Sequence, residues 1–387
     1  MYSKILWSYK KPKEQNKDTL YLDKNDINHF ERIFNKYNLK PESFDEVQID
    51  YLADKEYLIR YIIKELDILL KAKGTFCINA TFTGAHANFI RSQSQIGYEF
   101  SVSINGRYNL IKKDIDKTKL KLEYIKIKET LENDDTIDRW SFGIITNGQK
   151  NNQVCKLIDS IINQNIPNYE ILICGNFKYN NFEKNNIFAI DDVLLKDEIR
   201  APITIKKNKI VNESKYENLI ILHDRYLLPD GWYKNMEKYG NYFDILTMPN
   251  IGPNGGRVND WGKYLGKPSQ IYHEIFHLLA YEKWSLGWYS QGGMLIIKKS
   301  LYLQNKLDNR LFWGELEDIQ FSQIANLNGL FYYIDTNNNI FTFSDRIKET
   351  KEEFIFLLPL VSIKKLAKFI IIRLINFINH YKNRIFN

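Results

Sequence analysis

The sequence predicts an α/β protein whose larger part is a sheet flanked by helices. Three observations carry this. From Arg139 onward, apolar runs of strand length alternate with helical spacings. One of those runs, Leu219-Ile-Ile-Leu222, is apolar throughout, which marks a strand buried on both faces. Thr146, Gly175, Asp191 and Asp224 each stand where such a run ends, and open α/β sheets collect ligands at the carboxyl ends of their strands.

Residues 1–40 are polar and charged, with helical spacing at Ile27, Phe30, Ile33 and Phe34. Residues 44–50 read as a strand. Residues 55–71 read as a helix with Leu58, Ile62, Leu66 and Leu69 or Leu70 on one face. A turn at Lys73-Gly74 leads to a strand over 75–79. Strands around 98–104 and 108–112 are expected to form a hairpin at Asn105-Gly106. Residues 113–138 are charge-dense and lack Gly and Pro, the pattern of a connector.

The second part opens with a strand over 140–146 and a turn at Asn147-Gly148. A helix over 151–163 places Val154, Leu157, Ile158, Ile161 and Ile162 on one face. Strands over 167–174 and 186–190 follow, then a helix over 206–216, then the strand 219–222 ending in His223-Asp224-Arg225. Strands joined by helices in this order imply parallel pairing.

The chain has 387 residues, with 54 Lys+Arg against 47 Asp+Glu and a net charge of +7. A 44% hydrophobic and 26% charged composition excludes a mainly disordered, collagenous or polytopic membrane chain. Three distant cysteines, Cys77, Cys155 and Cys174, without a CxxC, argue against a disulfide framework or zinc ribbon and fit a reducing compartment. The N-terminus has no apolar core of a signal peptide, so a cytoplasmic location is expected.

The charge is concentrated at one end. Residues 354–387 contain no acid and six cations: Lys364, Lys365, Lys368, Arg373, Lys382 and Arg384. Leu366, Ala367, Ile370, Ile371, Leu374, Phe377 and Ile378 fall on one helical side, Lys364, Lys365 and Lys368 on the other. This pattern suits an interfacial helix on an anionic leaflet, or else a helix docked on its own core. The remaining residues, 1–353, carry 7 − 6 = +1. Nucleic acid is therefore not an expected partner, and an anionic membrane surface is.

Two stretches resemble known families. The strand–helix–strand order over roughly 42–112, with Lys71-Ala-Lys-Gly74 before the last strand, resembles the C-terminal half of a class I methyltransferase. No glycine-rich loop follows an early strand, so the resemblance implies a degenerate module that scaffolds and does not bind S-adenosylmethionine.

Residues 139–330 resemble a GT-A fold glycosyltransferase, family 2. The matching pieces are Phe142-Gly-Ile-Ile-Thr146, Tyr169-Glu-Ile-Leu-Ile-Cys-Gly-Asn176, Lys206-Lys-Asn-Lys209 and Leu219-Ile-Ile-Leu-His-Asp-Arg-Tyr226 with Pro229-Asp-Gly-Trp232. Gly292-Gly-Met-Leu-Ile-Ile-Lys-Lys299 and Trp313-Gly-Glu-Leu-Glu-Asp318 complete the set. The resemblance implies a Rossmann-like mixed sheet and inverting transfer from a nucleotide-sugar, UDP-sugars foremost, to a glycan or lipid-linked acceptor. Capsule and lipopolysaccharide are the products implied, with the enzyme peripheral to the inner face of the plasma membrane.

Site residues follow from the same match. Thr146, Asn147, Asp191, Lys209, His223, Asp224, Arg225, Gly292 and Gly293 are expected to hold the donor, and Trp313 and Gly314 the acceptor. Trp261 and Trp288 offer apolar faces to sugar rings, or serve as core aromatics. Asp318 is the expected general base, with Glu317 as neighbour or substitute, because a sugar hydroxyl must lose its proton as it attacks. The same acids suit a helix N-terminus.

A departing diphosphate concentrates negative charge. Asp224 could hold Mn²⁺ or Mg²⁺ against it, with His223 or His273 as a further ligand. His223-Asp224-Arg225 has one acid where the family carries two, so Arg225 could also neutralise phosphate directly.

His273-Glu-Ile-Phe-His277 matches HExxH and, on a helix, would bind zinc as a metalloprotease does. No third ligand follows at a customary spacing. A third possibility is a non-catalytic sugar- or nucleotide-binding protein on a transferase scaffold. The expected organisation is 1–135, a methyltransferase-like module and connector; 136–345, a transferase domain; and 346–387, a basic membrane-associating tail.

Overall fold

The computed structural model of the chain describes residues 2–8, 17–23, 31–52, 59–81, 97–104, 106–116, 118–131, 134–177, 186–191, 200–258, 260–264, 276–284, 288–289 and 291–343. They form a mixed α/β structure with two large sheets. The first contains β1 (Lys4–Ser8), β2 (Thr19–Asp23), β3 (Phe44–Leu52), β4 (Leu70–Thr81), β5 (Tyr108–Asp116) and β6 (Lys119–Lys126), in the order β2-β1-β3-β4-β6-β5. The four strands from β2 to β4 are parallel, and β6 and β5 add antiparallel.

The second sheet holds the expected strands. They are β7 (Arg139–Ile145), β8 (Asn168–Cys174), β9 (Ile187–Ile190) and β10 (Asn218–His223). After the short β11 (Tyr226–Leu227) come β12 (Ile245–Thr247) and β13 (Asn250–Ile251). Then follow β14 (Gly262–Tyr264), β15 (Phe276–Leu278), β16 (Trp288–Tyr289), β17 (Met294–Lys298), β18 (Tyr332–Ile334) and β19 (Ile340–Thr342). The sheet order is β18-β12-β17-β10-β7-β8-β9, and two small sheets run β11-β19-β13 and β15-β14-β16. Pairing is parallel from β10 to β9, but β17 runs antiparallel to both β10 and β12, so the sheet is mixed and not wholly parallel.

Strand β10 shows why the apolar run predicts burial. Ile220 and Leu222 join one core cluster, and Leu219 and Ile221 join another. Successive side chains of a strand point to opposite faces, so four consecutive apolar residues need two cores. The first cluster also takes in Ile5, Trp7 and Leu66 from the first sheet and its helix, so both sheets share one continuous core. Trp140 and Trp232 meet edge-to-face inside it at 5.1 Å between ring centroids.

The helix Ile59–Leu69 is buried at every residue, its four ionised side chains included. Each is paired: Arg60 with Glu99 at 2.7 Å, Lys64 with Asp244 at 2.7 Å, Glu65 with Arg32 at 2.7 Å and Asp67 with Arg107 at 2.8 Å. Burying a charge is tolerable only when a partner replaces its water. Arg32 also lies against the rings of Phe34, Tyr239 and Tyr333 at 4.7–5.1 Å. Asp244, Tyr239 and Tyr333 belong to the second half of the chain, so these charges lock the halves together. Between the sheets lies a cavity of about 1030 Å³ lined by two of these pairs, Lys64–Asp244 and Asp67–Arg107.

Several expectations fail in the first sheet. Residues 4–8 and 19–23 are strands; of the helical spacing at 27–34, Ile33 and Phe34 lie in the short helix Ile33–Lys36, and Ile27 and Phe30 lie outside the described residues. The expected strand at 98–104 is helical over 97–103, so the hairpin does not form at Asn105-Gly106. Instead β5 pairs with β6, which lies inside the expected connector. No break separates 70 from 75; the turn is a kink within β4, where Lys73 takes a φ of 66°. Residues 276–278, at the end of the HExxH segment, are a strand and not a helix. His273 and the tail 346–387 lie outside the described residues. Among the described residues, no helix is long and apolar enough to cross a membrane.

Candidate active site

Strand register builds the site. Ile145 at the end of β7 pairs with His223 at the end of β10, so Thr146 and Asp224 emerge side by side. The Asp224 amide donates to the Ile145 carbonyl at 3.1 Å, and the Thr146 amide donates to the Cys174 carbonyl at 3.2 Å. The Thr146 hydroxyl then donates to Asp224 Oδ2 at 2.9 Å and accepts from the Gly148 amide at 3.1 Å. Gly175 lets these strand ends close up: its φ is 143°, and a Cβ there would sit 2.0 Å from the Thr146 carbonyl oxygen.

On the other side of β10, antiparallel β17 delivers its preceding turn. The His223 amide donates to the Gly293 carbonyl at 3.0 Å. The turn is crowded by functional groups. A Cβ at Gly293 would meet the Arg225 Nη2 and Tyr226 hydroxyl, each at 2.7 Å; one at Gly292 would lie 2.8 Å from Glu317 Oε1 and 3.2 Å from Asp318 Oδ2.

The helix Glu317–Leu327 starts here, with both acids in its first turn. Asp318 Oδ2 accepts from the Gly292 amide at 2.9 Å and Oδ1 accepts from the Ile319 amide at 2.9 Å. Both acids thus stand in a helix's first turn beside the glycine turn: the N-terminal dipole favours an anion, and the Gly292 amide holds Asp318. Burial pushes the Glu317 and Asp318 carboxyls up from their ordinary values, opposed by the Lys207 ammonium.

Lys207 is the residue that sequence reasoning missed. The expected basic helix entry at 206–209 lies well inside the helix Ile203–Glu213, which begins three residues earlier than its apolar pattern suggests. Lys206 and Lys207 are buried. Lys206 Nζ donates to the Thr146 carbonyl at 3.3 Å, and Lys207 Nζ donates to the Gly292 carbonyl at 2.6 Å and stands 3.9 Å from Glu317 Oε1. Lys209 instead donates to the Asp191 carbonyl at 3.0 Å at the site's exposed edge. Two adjacent lysines on an apolar face, where a solvated helix would place neither, were the available signal.

His223 and Arg225 complete the inner wall. Burial, with Lys207 and Arg225 nearby, pushes the His223 imidazole well below its usual pKa and keeps it neutral. Among the described residues, His223 Nε2 and Arg225 Nε have no hydrogen-bond partner. Asn147 and Asp191 are exposed beside the site. Trp313 is 51% exposed, and Gly314 follows it at a φ of 84°. Trp261 and Trp288 are buried against each other at 4.8 Å and serve the core.

A divalent cation fits this donor set poorly. Asp224 is a single carboxylate with one oxygen already held by Thr146, and the residue next to it, Arg225, is a cation. Among the described residues, no group of three or more His, Cys, Asp and Glu could hold a metal ion. What the arrangement can do is offset an anion with Arg225 and accept a proton on Asp318.

No family model matches the chain, and no curated protein matches it. Among solved structures it is similar to S. aureus TarS 1–349, at 13% identity and a TM-score of 0.38, over 53% of this chain and 60% of that one. It is similar to the same fragment in complex with UDP-GlcNAc, at 11% identity and a TM-score of 0.36, over 56% and 62%. It is also similar to GalNAc-T7 with UDP, GalNAc and Mn²⁺, at 12% identity and a TM-score of 0.40, over 55% and 45%. The chain thus spans less than two thirds of each of these relatives.

Proposed function

We propose that the chain is a glycosyltransferase, moving a hexosyl or hexosaminyl group from a nucleotide-sugar, a UDP-sugar first, to a glycan or lipid-linked acceptor in bacterial surface polysaccharide synthesis. One observation carries this most: a cation and a carboxylate meet at one glycine turn. Arg225, whose Nε has no hydrogen-bond partner among the described residues, stands against Gly293, and Asp318 is bound to the Gly292 amide; Asp224, next to Arg225 in the chain, is tied to Thr146.

In this reading the acceptor oxygen bonds to the sugar C1 while the C1–oxygen bond to the diphosphate breaks. The acceptor proton passes to Asp318. The electron pair leaves on the diphosphate, where Arg225 offsets the new charge. Inversion at C1 follows from the family resemblance, and Glu317 is the neighbouring carboxylate that keeps the site acidic. Thr146, Asn147, Asp191 and Lys209 line the nucleotide side, and Trp313 and Gly314 the acceptor side. No step is routed through a metal. Residues 346–387 would bring the enzyme to an anionic cytoplasmic leaflet and its lipid-linked acceptor.

The test is a thermal-shift screen against UDP-, GDP-, CMP- and dTDP-sugars, followed by assay of free nucleoside diphosphate. A ligand of the folded state raises Tm with its excess over Kd. A shift with diphosphate release supports the proposal. A shift without release points to the non-catalytic binding protein, and no shift with any donor removes both.

A further inference from the structure

We propose that Lys207 is the positioning residue of the base, holding Asp318 in place both through the Gly292–Gly293 turn and through its charge. This rests on the transferase reading above. The turn is held from two sides: Lys207 Nζ donates to the Gly292 carbonyl at 2.6 Å, and the Gly292 amide donates to Asp318 Oδ2 at 2.9 Å. The absence of a Cβ at Gly292 is what lets the two acids approach, since one would stand 2.8 Å from Glu317 Oε1. An ammonium on one helix thus fixes a carboxylate on another through a single residue between them.

A lysine this deeply buried needs a reason to stay charged. The groups facing it are Glu317 and Asp318 from the helix 317–327, Arg225 after β10, and the neutral His223 at the end of β10. Burial and Arg225 oppose its charge; the two carboxylates favour it. Asp318 in turn faces Lys207, the Gly292 and Ile319 amides, Glu317 and the Tyr332 hydroxyl. The ammonium favours the carboxylate form of the half-buried Asp318, the form that can take a proton, against the burial that opposes it. Without it, two adjacent acids share a desolvated pocket and favour their protonated forms.

The test compares wild type, Lys207→Met and Lys207→Arg in the pH dependence of kcat. An opposite charge at this range lowers a carboxyl pKa by about 1–3 units, so its loss moves the acidic limb up by a comparable interval. Lys207→Met should show that shift with donor Kd unchanged, and Lys207→Arg should restore the limb towards wild type. An unmoved limb in an active Lys207→Met enzyme overturns the proposal while leaving the transferase reading intact.

A second measurement needs no activity. Tm is recorded from pH 4 to 8 for wild type, Lys207→Met, Asp318→Asn and the double variant. Neutralising Asp318 should be more favourable once Lys207 is gone, and increasingly so as pH rises. Additive Tm changes at every pH would overturn the proposal even if no donor were turned over.

Discussion

Arg60 joins the two halves of the chain at the far end of the base's own helix, so replacing it with Met has a defined cost. Its guanidinium donates to Glu99 at 2.7 and 3.1 Å, and Nη1 also donates to the Asn326 carbonyl at 2.8 Å and the Leu330 carbonyl at 3.3 Å. Asn326 lies in the last turn of the helix 317–327, where a cation complements the dipole and satisfies free carbonyls. The side chains are 5% and 9% exposed, so solvent screens the pair little. Removing one partner of a buried pair orphans the other charge and costs about 3–5 kcal/mol. Urea denaturation should show that loss in Arg60→Met. Arg60→Met with Glu99→Leu should recover at least about 1 kcal/mol of it, because no charge is left alone. A single-variant cost below about 1 kcal/mol, or strict additivity, would refute the buried-pair reasoning.

Gly175→Ala should strain a positive φ by about 1–3 kcal/mol and displace the Thr146 carbonyl. Calorimetry should then find donor affinity weakened about tenfold or more as the Thr146–Asp224 bond is lost. Asp335 is buried, and burial pushes its carboxyl from 3.8 to about 6. The folded state then holds a proton the unfolded state has released, so this group's contribution to stability falls as pH rises from about 4 to 6. Asp335→Asn should remove up to about 3 kcal/mol of that pH dependence, read as urea midpoints at both ends of the window; an identical slope in both proteins would contradict it. Arg225→Gln should lower kcat by roughly 10²–10³-fold, the scale of losing one group that stabilises developing charge, and wild type treated with EDTA should stay active. Loss of activity in EDTA with recovery in Mn²⁺ would instead put a cation at Asp224.

The second sheet was largely legible because its signals are local. A doubly buried strand has to be continuously apolar, and Leu219–Leu222 is; an amphipathic helix has to repeat at 3.6 residues, and 151–162 does. The polar residues at the ends of β7 and β10 could be read for the same reason. The first sheet was legible only in part: β3, the helix 59–69, β4 and the start of β5 follow local patterns, but β1, β2 and the pairing of β5 with β6 do not. Its hairpin strand β5 is exposed along almost its whole length, so nothing in Leu110-Ile-Lys-Lys-Asp-Ile115 alternates with a core. The buried charges of 59–69 look like a solvated face until their partners, more than thirty residues away, are known. Lys207 was hidden likewise: a lysine's charge marks a surface in one dimension, and only the fold shows it facing two acids.

The most direct measurement is release of nucleoside diphosphate from a UDP-sugar by wild type and Asp318→Asn, with donor Kd measured alongside. Wild type should turn over, and Asp318→Asn should lose about 10²–10⁴-fold in kcat at unchanged Kd, the scale of removing a general base. Equal turnover by the two proteins would contradict the assignment of Asp318, and with it the proposed chemistry of the site.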